Sequence, residues 1–493
     1  MIYIQQLRER YQLTIGYLGT IVIGIGIALL IPLLIVPIYK GEVEQIKYFL
    51  IPSVFSIVLG YIIRKANLDK EATLTLHEGG VIVVFAWFIT IIISATPFIL
   101  SGQLNFTQAM FESVSGWTTT GLSVVDVTKT PNTFLLWRSI MQFLGGAGLA
   151  VVMLSAIIGP HGLGLYNAEG RSDKLLPDVA KSTKLIMTIY LSYIVAGIVL
   201  YIIAGMNWFD AINHAIAALS TGGFSTKVDS IGEFNSVAIE LITIVLMFLG
   251  TINFAAHFLL LKGEIKRFFK IGEIRFMFFI LSLAIPITIV IALLGIYNTL
   301  GKTIRVGVFE LVSALSTTGF STVGYEGWPS FAIFIMIALM IIGGGAGSTA
   351  GGLKQYRVYI MLKSLIWNLK GYLVPRNTVR QEYVIRPEGK YYVPKKHIVE
   401  ITAFATIYFI VYVIGVLIML AYGFPLQESM FEFASTLGTV GLSVGITSPD
   451  TPVLILWSQI LGMMLGRLEF FVFFFAGVKI IRDTKLMATS FKR

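Results

Sequence analysis

Four six-residue stretches carry residue types that can hold a small cation: Thr118-Thr119-Thr120-Gly121-Leu122-Ser123, Ser220-Thr221-Gly222-Gly223-Phe224-Ser225, Ser316-Thr317-Thr318-Gly319-Phe320-Ser321 and Gly438-Thr439-Val440-Gly441-Leu442-Ser443. Each is small and hydroxylated up to one shared glycine, then carries Leu or Phe and a Ser. Glycine lets a carbonyl turn toward an axis with no Cβ in the way, by reaching backbone angles that other residues resist. Converging carbonyls on such an axis can replace the hydration shell of a cation. This is coordination chemistry, and it needs no catalytic residue.

The shared register extends well beyond the six residues. Nine positions before the shared glycine stand Glu112, His214, Glu310 and Glu432, and 24 to 27 positions after it stand Gly145, Gly250, Gly343 and Gly466, each preceded by Leu or Ile. A lone Ser, Thr and Gly cluster is ordinarily a loop. Four in one register are a fourfold internal repeat.

The elements that must position these loops are apolar. With 493 residues and 56% hydrophobic content, and a mean hydropathy of +0.82, the chain reads as an all-α polytopic membrane protein. The absence of Cys excludes disulfides, Cys-ligated zinc, iron-sulfur centres and thiol catalysis, and five scattered His speak against a metal centre. Two apolar runs, Thr14 to Ile38 and Tyr48 to Ile63, come first; the first exceeds the roughly 20 residues that cross a bilayer and the second is marginal. The first run is too long for a signal peptide and lacks a small-residue cleavage site, so it is expected to remain as a helix.

From residue 78 the order is span, short amphipathic segment, filter-like loop, span. Repeat one reads as Glu78 to Leu100, Phe106 to Trp117, the loop, and Phe134 to Ile158. Repeat two reads as Ser182 to Ala204, Trp208 to Leu219, the loop, and Val237 to Leu261. Repeat three has Ile274 to Ile296, Ile304 to Leu315, the loop, and an interrupted span from Phe331. Repeat four has Ile398 to Tyr422, Leu426 to Leu437, the loop, and Val453 to Ile481. The expected organisation is two extra helices in 1–70, then repeats in 71–170, 171–270, 271–390 and 391–493, the last with a cytoplasmic tail. In all, ten spans and four re-entrant segments are expected.

That assignment puts all but eight of the 37 Lys and Arg on one side, which is the cytoplasm by the positive-inside rule. The exceptions are Lys40, Lys47, Lys129, Arg138, Lys227, Lys302, Arg305 and Arg467. Both termini are then cytoplasmic. The net charge of +10 reports orientation, and with no basic-aromatic stripe it does not point to nucleic acid.

Backbone polar groups cannot be left bare to lipid, so the Thr/Gly loops must be enclosed by protein or line a wet cavity. Four related loops suggest pseudo-fourfold symmetry about an axis. Repeat four contains Thr439-Val440-Gly441, the first three residues of the TVGYG filter of potassium channels, but no loop continues with Tyr-Gly, so the filter should be shorter.

On these residues the chain resembles the Trk/Ktr/HKT superfamily of potassium-transport subunits. The two extra N-terminal spans make it more similar to the TrkH branch than to KtrB. The resemblance implies a potassium-binding filter of Thr119, Thr120, Gly121, Thr221, Gly222, Gly223, Thr317, Thr318, Gly319, Thr439, Val440 and Gly441. All four filter glycines are Gly, whereas sodium-preferring plant relatives often carry Ser in the first loop. It further implies a homodimer in the cell (inner) membrane, served by a cytoplasmic TrkA-like ring that binds the nucleotide. No cofactor is expected on this chain, and potassium is its substrate. The readings weighed against this are a sodium or unselective cation transporter of the same fold and a secondary solute transporter. The latter usually shows a twofold inverted repeat rather than four repeats in one orientation.

Three further features carry expectations, one within the fourfold pattern and two that depart from it. Glu112, Glu310 and Glu432 lie in apolar segments and either enrich cations or hold the filter's shape; their distance from the filter glycine and the His at the fourth position favour a scaffold role. In repeat three the second span runs Ile342-Gly343-Gly344-Gly345-Ala346-Gly347-Ser348-Thr349-Ala350-Gly351-Gly352-Leu353-Lys354, too glycine-rich for a regular helix. A Walker loop is excluded because Leu stands where its Lys is needed; close helix packing is the alternative. Arg467 follows Gly466 about 15 residues, or roughly 22 Å, into its helix, where snorkelling to an interface is difficult. The resemblance implies a gate below the filter, made of Gly343, Gly344, Gly345, Gly347, Ser348, Thr349, Gly351, Gly352 and Arg467. The loop carbonyls, Ser348 and Thr349 are expected to bind the guanidinium.

Overall fold

The computed structural model describes residues 2–67, 76–148, 179–373, 381–468 and 470–490. Apart from one two-stranded hairpin, the regular structure among them is helical. Six helices are long and apolar enough to cross a membrane, and two bent helix pairs pass the same test together. The chain is an all-α polytopic membrane protein. By their contacts the residues fall into two units, one drawn from 1–118, 123–191 and 467–493 and the other from 119–122 and 192–466.

The first unit starts with α1 (Ile2–Ala28) and α2 (Ile46–Asn67), which pack along each other. A Cβ added at Gly19 or Gly60 would stand inside 3.0 Å of the other's carbonyl, so two glycines let these backbones approach as small residues do in membranes. The second span is longer than its apolar run: with the preceding turn it covers Lys40–Ala66. That turn carries Glu42, whose carboxylate accepts from the backbone N–H of Asn132 at 2.7 Å and of Thr133 at 2.8 Å. These are the free donors of α5 (Asn132–Ala147), whose N-cap, Pro131, offers no side-chain acceptor. Glu42 thereby fastens the N-terminal pair to repeat one. Between them come α3 (Leu76–Leu100) and the first pore helix, α4 (Phe106–Trp117).

The pore helices begin and end close to where the amphipathic segments do. Asn105 and Gln108 close a capping box on α4. After α6 (Val179–Ile203), Asn207 caps α7 (Trp208–Leu219) by accepting from Asp210 N at 2.8 Å.

Repeat two departs from its expected single span Val237 to Leu261. It divides into α8 (Val237–Thr251) and α9 (Phe254–Leu261), bent by 111°. Asn253 makes the break: its side chain accepts from Ala255 N at 2.7 Å, starting α9, and donates through Nδ2 to the Ala346 carbonyl. The one-turn helix α10 (Ile265–Phe268) follows, and then α11 (Gly272–Thr288), which with the wider turn after it makes the membrane-length span Gly272–Leu293.

In repeat three the pore helix α12 (Leu300–Ser316) starts earlier than expected because Thr299 accepts from Lys302 N and caps it. Next come α13 (Ser330–Ile342), which stops at Gly343, and α14 (Gln355–Tyr372), which restarts beyond the glycine-rich segment. The basic stretch that follows holds an unforeseen hairpin, β1 (Tyr383–Arg386) with β2 (Gly389–Tyr392), in register Tyr383 to Tyr392. Arg386 lies between the rings of Tyr356 and Tyr391, and Val384 packs with Tyr356, Ile360 and Ile401.

Repeat four has α15 (Lys395–Ala421) and the pore helix α16 (Leu426–Leu437). Its expected second span, Val453 to Ile481, separates into α17 (Val453–Leu468) and α18 (Phe470–Ser490). The far part of the expected span Phe134 to Ile158, from 149, and the basic stretches 68–70, 171–178 and 376–380 lie outside the described residues.

Candidate cation filter and gate

Each pore helix hands the chain to the same turn. Thr119, Thr221, Thr317 and Thr439 have φ of 55°, 52°, 56° and 49°, and two residues later Gly121, Gly223, Gly319 and Gly441 have φ of 92°, 70°, 80° and 99°. The left-handed region suits glycine, but a β-branched residue there is an outlier. All four threonines are fully buried, so enclosure sustains the strain. Such strain collects at functional sites. The recurrence of Thr two positions before the shared glycine was present in the sequence as a signal, but nothing local announces a left-handed threonine.

The second unit brings the four turns together in a closed ring. A Cβ added at Gly121 would stand inside 3.0 Å of the Gly222 carbonyl oxygen, one at Gly223 against that of Thr318, one at Gly319 against that of Val440, and one at Gly441 against that of Thr120. Loop one thus abuts two, two abuts three, three abuts four, and four returns to one. The twelve residues expected to form a filter lie in these four turns.

The pore-helix acids act behind the loops. Glu112 accepts from Ser123 Oγ at 3.0 Å and Val124 N at 3.1 Å. Glu432 accepts from Ser443 Oγ at 2.8 Å and Val444 N at 3.0 Å. Glu310 accepts from Thr322 N at 2.7 Å and Tyr325 Oη at 2.6 Å. His214 Nε2 lies 2.9 Å from Ser225 Oγ. Each grips the chain just past its own filter glycine, a scaffold arrangement in which a neutral imidazole can stand in for a carboxylate.

Repeat one adds a cation to this scaffold. Arg138 donates from Nε to Glu112 at 2.7 Å and from Nη2 to Ser123 Oγ at 3.0 Å, and the two charged side chains are 3% and 0% exposed. In the sequence Arg138 stood only as an exception to the charge asymmetry; an Arg within Leu135-Leu136-Trp137-Arg138-Ser139-Ile140 was the signal for a buried partner. Removing one member strands the other in an apolar surround, at a cost of about 3–5 kcal/mol. Arg138→Met is therefore expected to lower the unfolding midpoint of the detergent-solubilised protein sharply, and Glu112→Gln with Arg138→Met to recover part of the loss. Unchanged midpoints would refute the assignment.

The recurring glycine of the second span also has a physical reason. A Cβ at Gly145, Gly250 or Gly466 would stand inside 3.0 Å of the last carbonyl of its own pore helix, at Trp117, Leu219 and Leu437. Gly343 differs, meeting Gly351 O instead.

The glycine-rich segment is broken yet well held. Gly345 N donates to Thr251 O at 2.9 Å, Ala346 N to Glu273 at 2.6 Å, and Thr349 Oγ1 to Gly250 O at 2.8 Å or Leu219 O at 3.1 Å. The bend at Asn253 belongs to this framework, because Asn253 donates to Ala346 O. The segment also reaches the filter turns: Thr349 Oγ1 lies 3.1 Å from Thr221 Oγ1, and Gly351 N donates to Thr317 Oγ1 at 2.7 Å. A Cβ at Gly351 would collide with Thr439 Oγ1 and Gly438 O.

Arg467 has a partner the sequence did not suggest. Its Nη2 donates to the Gly145 carbonyl at 2.7 Å. Gly145 lies in the last turn of α5, where carbonyls lack intrahelical donors and the helix dipole favours a cation. Ser348 Oγ donates to Gly345 O.

Comparison with known proteins gives one consistent result. Residues 45–486 match the family described as TrkH, cation transport protein. An uncharacterized cation transporter of Methanocaldococcus jannaschii is 32% identical over 462 residues, covering 92% of each chain. The Trk system potassium uptake protein TrkH of Escherichia coli is 32% identical over 471 residues, 92% of this chain and 95% of the relative. The crystal structure of the potassium transporter TrkH from Vibrio parahaemolyticus is similar with a TM-score of 0.83 and 28% identity, over 94% of this chain and 98% of that one.

Proposed function

The chain belongs to the TrkH family of cation transport proteins, and from that premise we propose that it takes up potassium as the membrane subunit of a Trk system. The family is one of transporters and not of enzymes. The observation that carries the reading is the closed ring of four left-handed Thr-to-Gly turns. Neutral carbonyl oxygens around an axis can replace water about a monovalent cation without holding it by charge. Each turn follows the C-terminal end of a pore helix, where partial negative charge favours a cation.

In this reading Thr119 to Gly121, Thr221 to Gly223, Thr317 to Gly319 and Thr439 to Gly441 are the filter, and the segment from Gly343 to Gly352 is the gate, with Arg467 as its positive residue. The gate answers to a cytoplasmic nucleotide-binding ring of TrkA type, and the membrane subunit is a homodimer in the inner membrane. Glycine at position 121 favours potassium over the alternative of a sodium or unselective transporter. The test is growth of a potassium-uptake-deficient bacterium at limiting potassium, with and without the partner gene; failure to rescue under both conditions overturns the reading.

The same reading places both termini and the hairpin in the cytoplasm. Lys390 is exposed on β2 and the chain has no native Cys. Lys390→Cys is expected to react with an impermeant thiol reagent in inverted vesicles only. Labelling in intact cells would reverse the topology.

A further inference from the structure

The third filter loop is gripped differently from the other three. Ser123, Ser225 and Ser443 each meet the polar residue of their own pore helix, Glu112, His214 and Glu432. Glu310 binds Thr322 and Tyr325 instead, and the backbone of Ser321 is met from repeat two. A short tight helix, Ser230–Phe234, follows loop two and lies against loop three: Ser321 N donates to Ser230 Oγ at 3.3 Å, and Gly232 N donates to Ser321 O at 3.1 Å. A Cβ at Gly232 would stand 2.5 Å from the Thr322 carbonyl oxygen, so this approach requires glycine. Ile231 between them is fully buried and anchors the helix. Ser230 has φ of 53°, a left-handed angle that serine resists.

The same repeat supplies His214, where the other three have Glu. Its Nδ1 lies 2.8 Å from the Asp210 carbonyl, which can only accept, so in the neutral ring Nε2 accepts from Ser225 Oγ. The polar duty of the Glu is thereby met, and the faces and edges of a flat ring remain for other contacts. That ring lies beside Phe234, at the end of the tight helix, and Phe320, the residue after filter Gly319, with centroids 5.4 and 5.6 Å away. A carboxylate offers no such aromatic packing. Phe320 is thus held twice, its carbonyl by Ser313 Oγ of its own pore helix at 2.6 Å and its ring by repeat two.

We propose that His214, Ser230, Gly232 and Phe234 of repeat two are positioning residues for the third filter loop, and that repeat two carries His in order to hold Phe320 as well as Ser225. Phe320 and Ser321 directly follow Gly319, so a shift in either passes along the chain to the Gly319 backbone, which abuts Val440 in the ring. The break in the fourfold pattern is therefore a determinant of ion selectivity. It rests on reading the four loops as a potassium filter, and it adds selectivity determinants that lie outside the filter residues and act on a neighbouring repeat.

The test uses the full-length protein, with the bi-ionic ratio of potassium to sodium permeability in reconstituted vesicles and the unfolding midpoint in detergent as separate readouts. His214→Glu restores the fourfold pattern, so it is harmless if the imidazole merely replaces a carboxylate; losing the contact with Phe320, it is expected to lower the ratio severalfold. Ser230→Gly relieves the left-handed angle but removes the acceptor for Ser321 N, so the midpoint is expected to hold or rise while the ratio falls. Ser230→Asn, which tolerates the angle and keeps an acceptor oxygen, is expected to recover part of the ratio. The Ser230 pair decides the matter if His214→Glu does not fold. His214→Gln and Phe320→Leu remove the two sides of one contact, so their combined effect on the ratio is expected to be smaller than the sum. A wild-type ratio in His214→Glu or Ser230→Gly, Ser230→Asn as impaired as Ser230→Gly, or additive effects of His214→Gln and Phe320→Leu would each overturn the proposal. Failure of the wild-type protein to prefer potassium over sodium would instead overturn the reading beneath it.

Discussion

Gly121→Ser is expected to lower the ratio of potassium to sodium permeability about tenfold, which corresponds to about 1.4 kcal/mol of lost discrimination. Gly121 has φ of 92°, and a Cβ there would stand inside 3.0 Å of the Gly222 carbonyl oxygen. A serine cannot keep both the backbone angle and the neighbour. Holding the angle costs about 1–3 kcal/mol, so loop one or the carbonyl of loop two must move. A carbonyl pushed from its place opens the ring, and a wider, less regular ring distinguishes poorly between monovalent ions of different radius. The effect should extend round the ring, since Gly223, Gly319 and Gly441 meet the next loop in the same way. Bi-ionic permeability measured on reconstituted vesicles decides the matter; equal ratios for wild type and variant would sink the assignment of Gly121.

The second large effect is expected from the gate. Deleting part of Gly343 to Gly352, or replacing Arg467 by Ala, should raise rubidium uptake by the membrane subunit alone. A cation passing about 4 Å from a guanidinium at an effective dielectric of about 20 is repelled by about 4 kcal/mol, so removing the charge could speed flux by up to about a thousandfold. The segment itself is held by a handful of hydrogen bonds, from Gly345, Ala346, Thr349 and Gly351 and from Asn253. At a net ~1 kcal/mol each, they hold the segment in place by a few kcal/mol, which in the proposed reading is the depth of the closed state that a regulatory partner must overcome. Glu273→Gln, which weakens the bond to Ala346 N, should give a smaller rise than the deletion. If both large variants fold, stay selective and conduct no better than wild type, the constriction lies elsewhere and the glycines serve packing.

The parts legible in the sequence were those whose causes are local. Pore helices α4, α7 and α16 could be bounded because amphipathic residues run between a cap or proline and a Thr or Gly turn, all within a few residues. The break after Ile342 followed from glycine content alone. The scaffold role of Glu112, Glu310 and Glu432 was legible from their fixed offset, since a pore helix and the strand of chain after its turn fold back on each other over 11 to 15 residues. The chain by itself also determined the repeat, and with it the family resemblance.

Tertiary structure decided what depends on residues far apart in the chain. No local pattern says that Gly319 abuts Val440 or that Gly441 returns to Thr120; the ring exists only once four repeats have packed. Arg138 could be counted as a charge but not matched to Glu112 until α5 lay against α4. Asn253 looked like one polar residue in an apolar span, and its capping of a new helix was set by Ala346, 93 positions on. Arg467 was expected to bind the glycine-rich segment, and its described bond is to Gly145 at the end of α5. In each case the sequence specifies a donor, an acceptor or a missing Cβ, whereas the partner is chosen by which buried group packing brings within about 3 Å. The left-handed threonines show the same division: their residue type is local, but the strain they bear is sustained by the enclosure that the whole repeat array supplies.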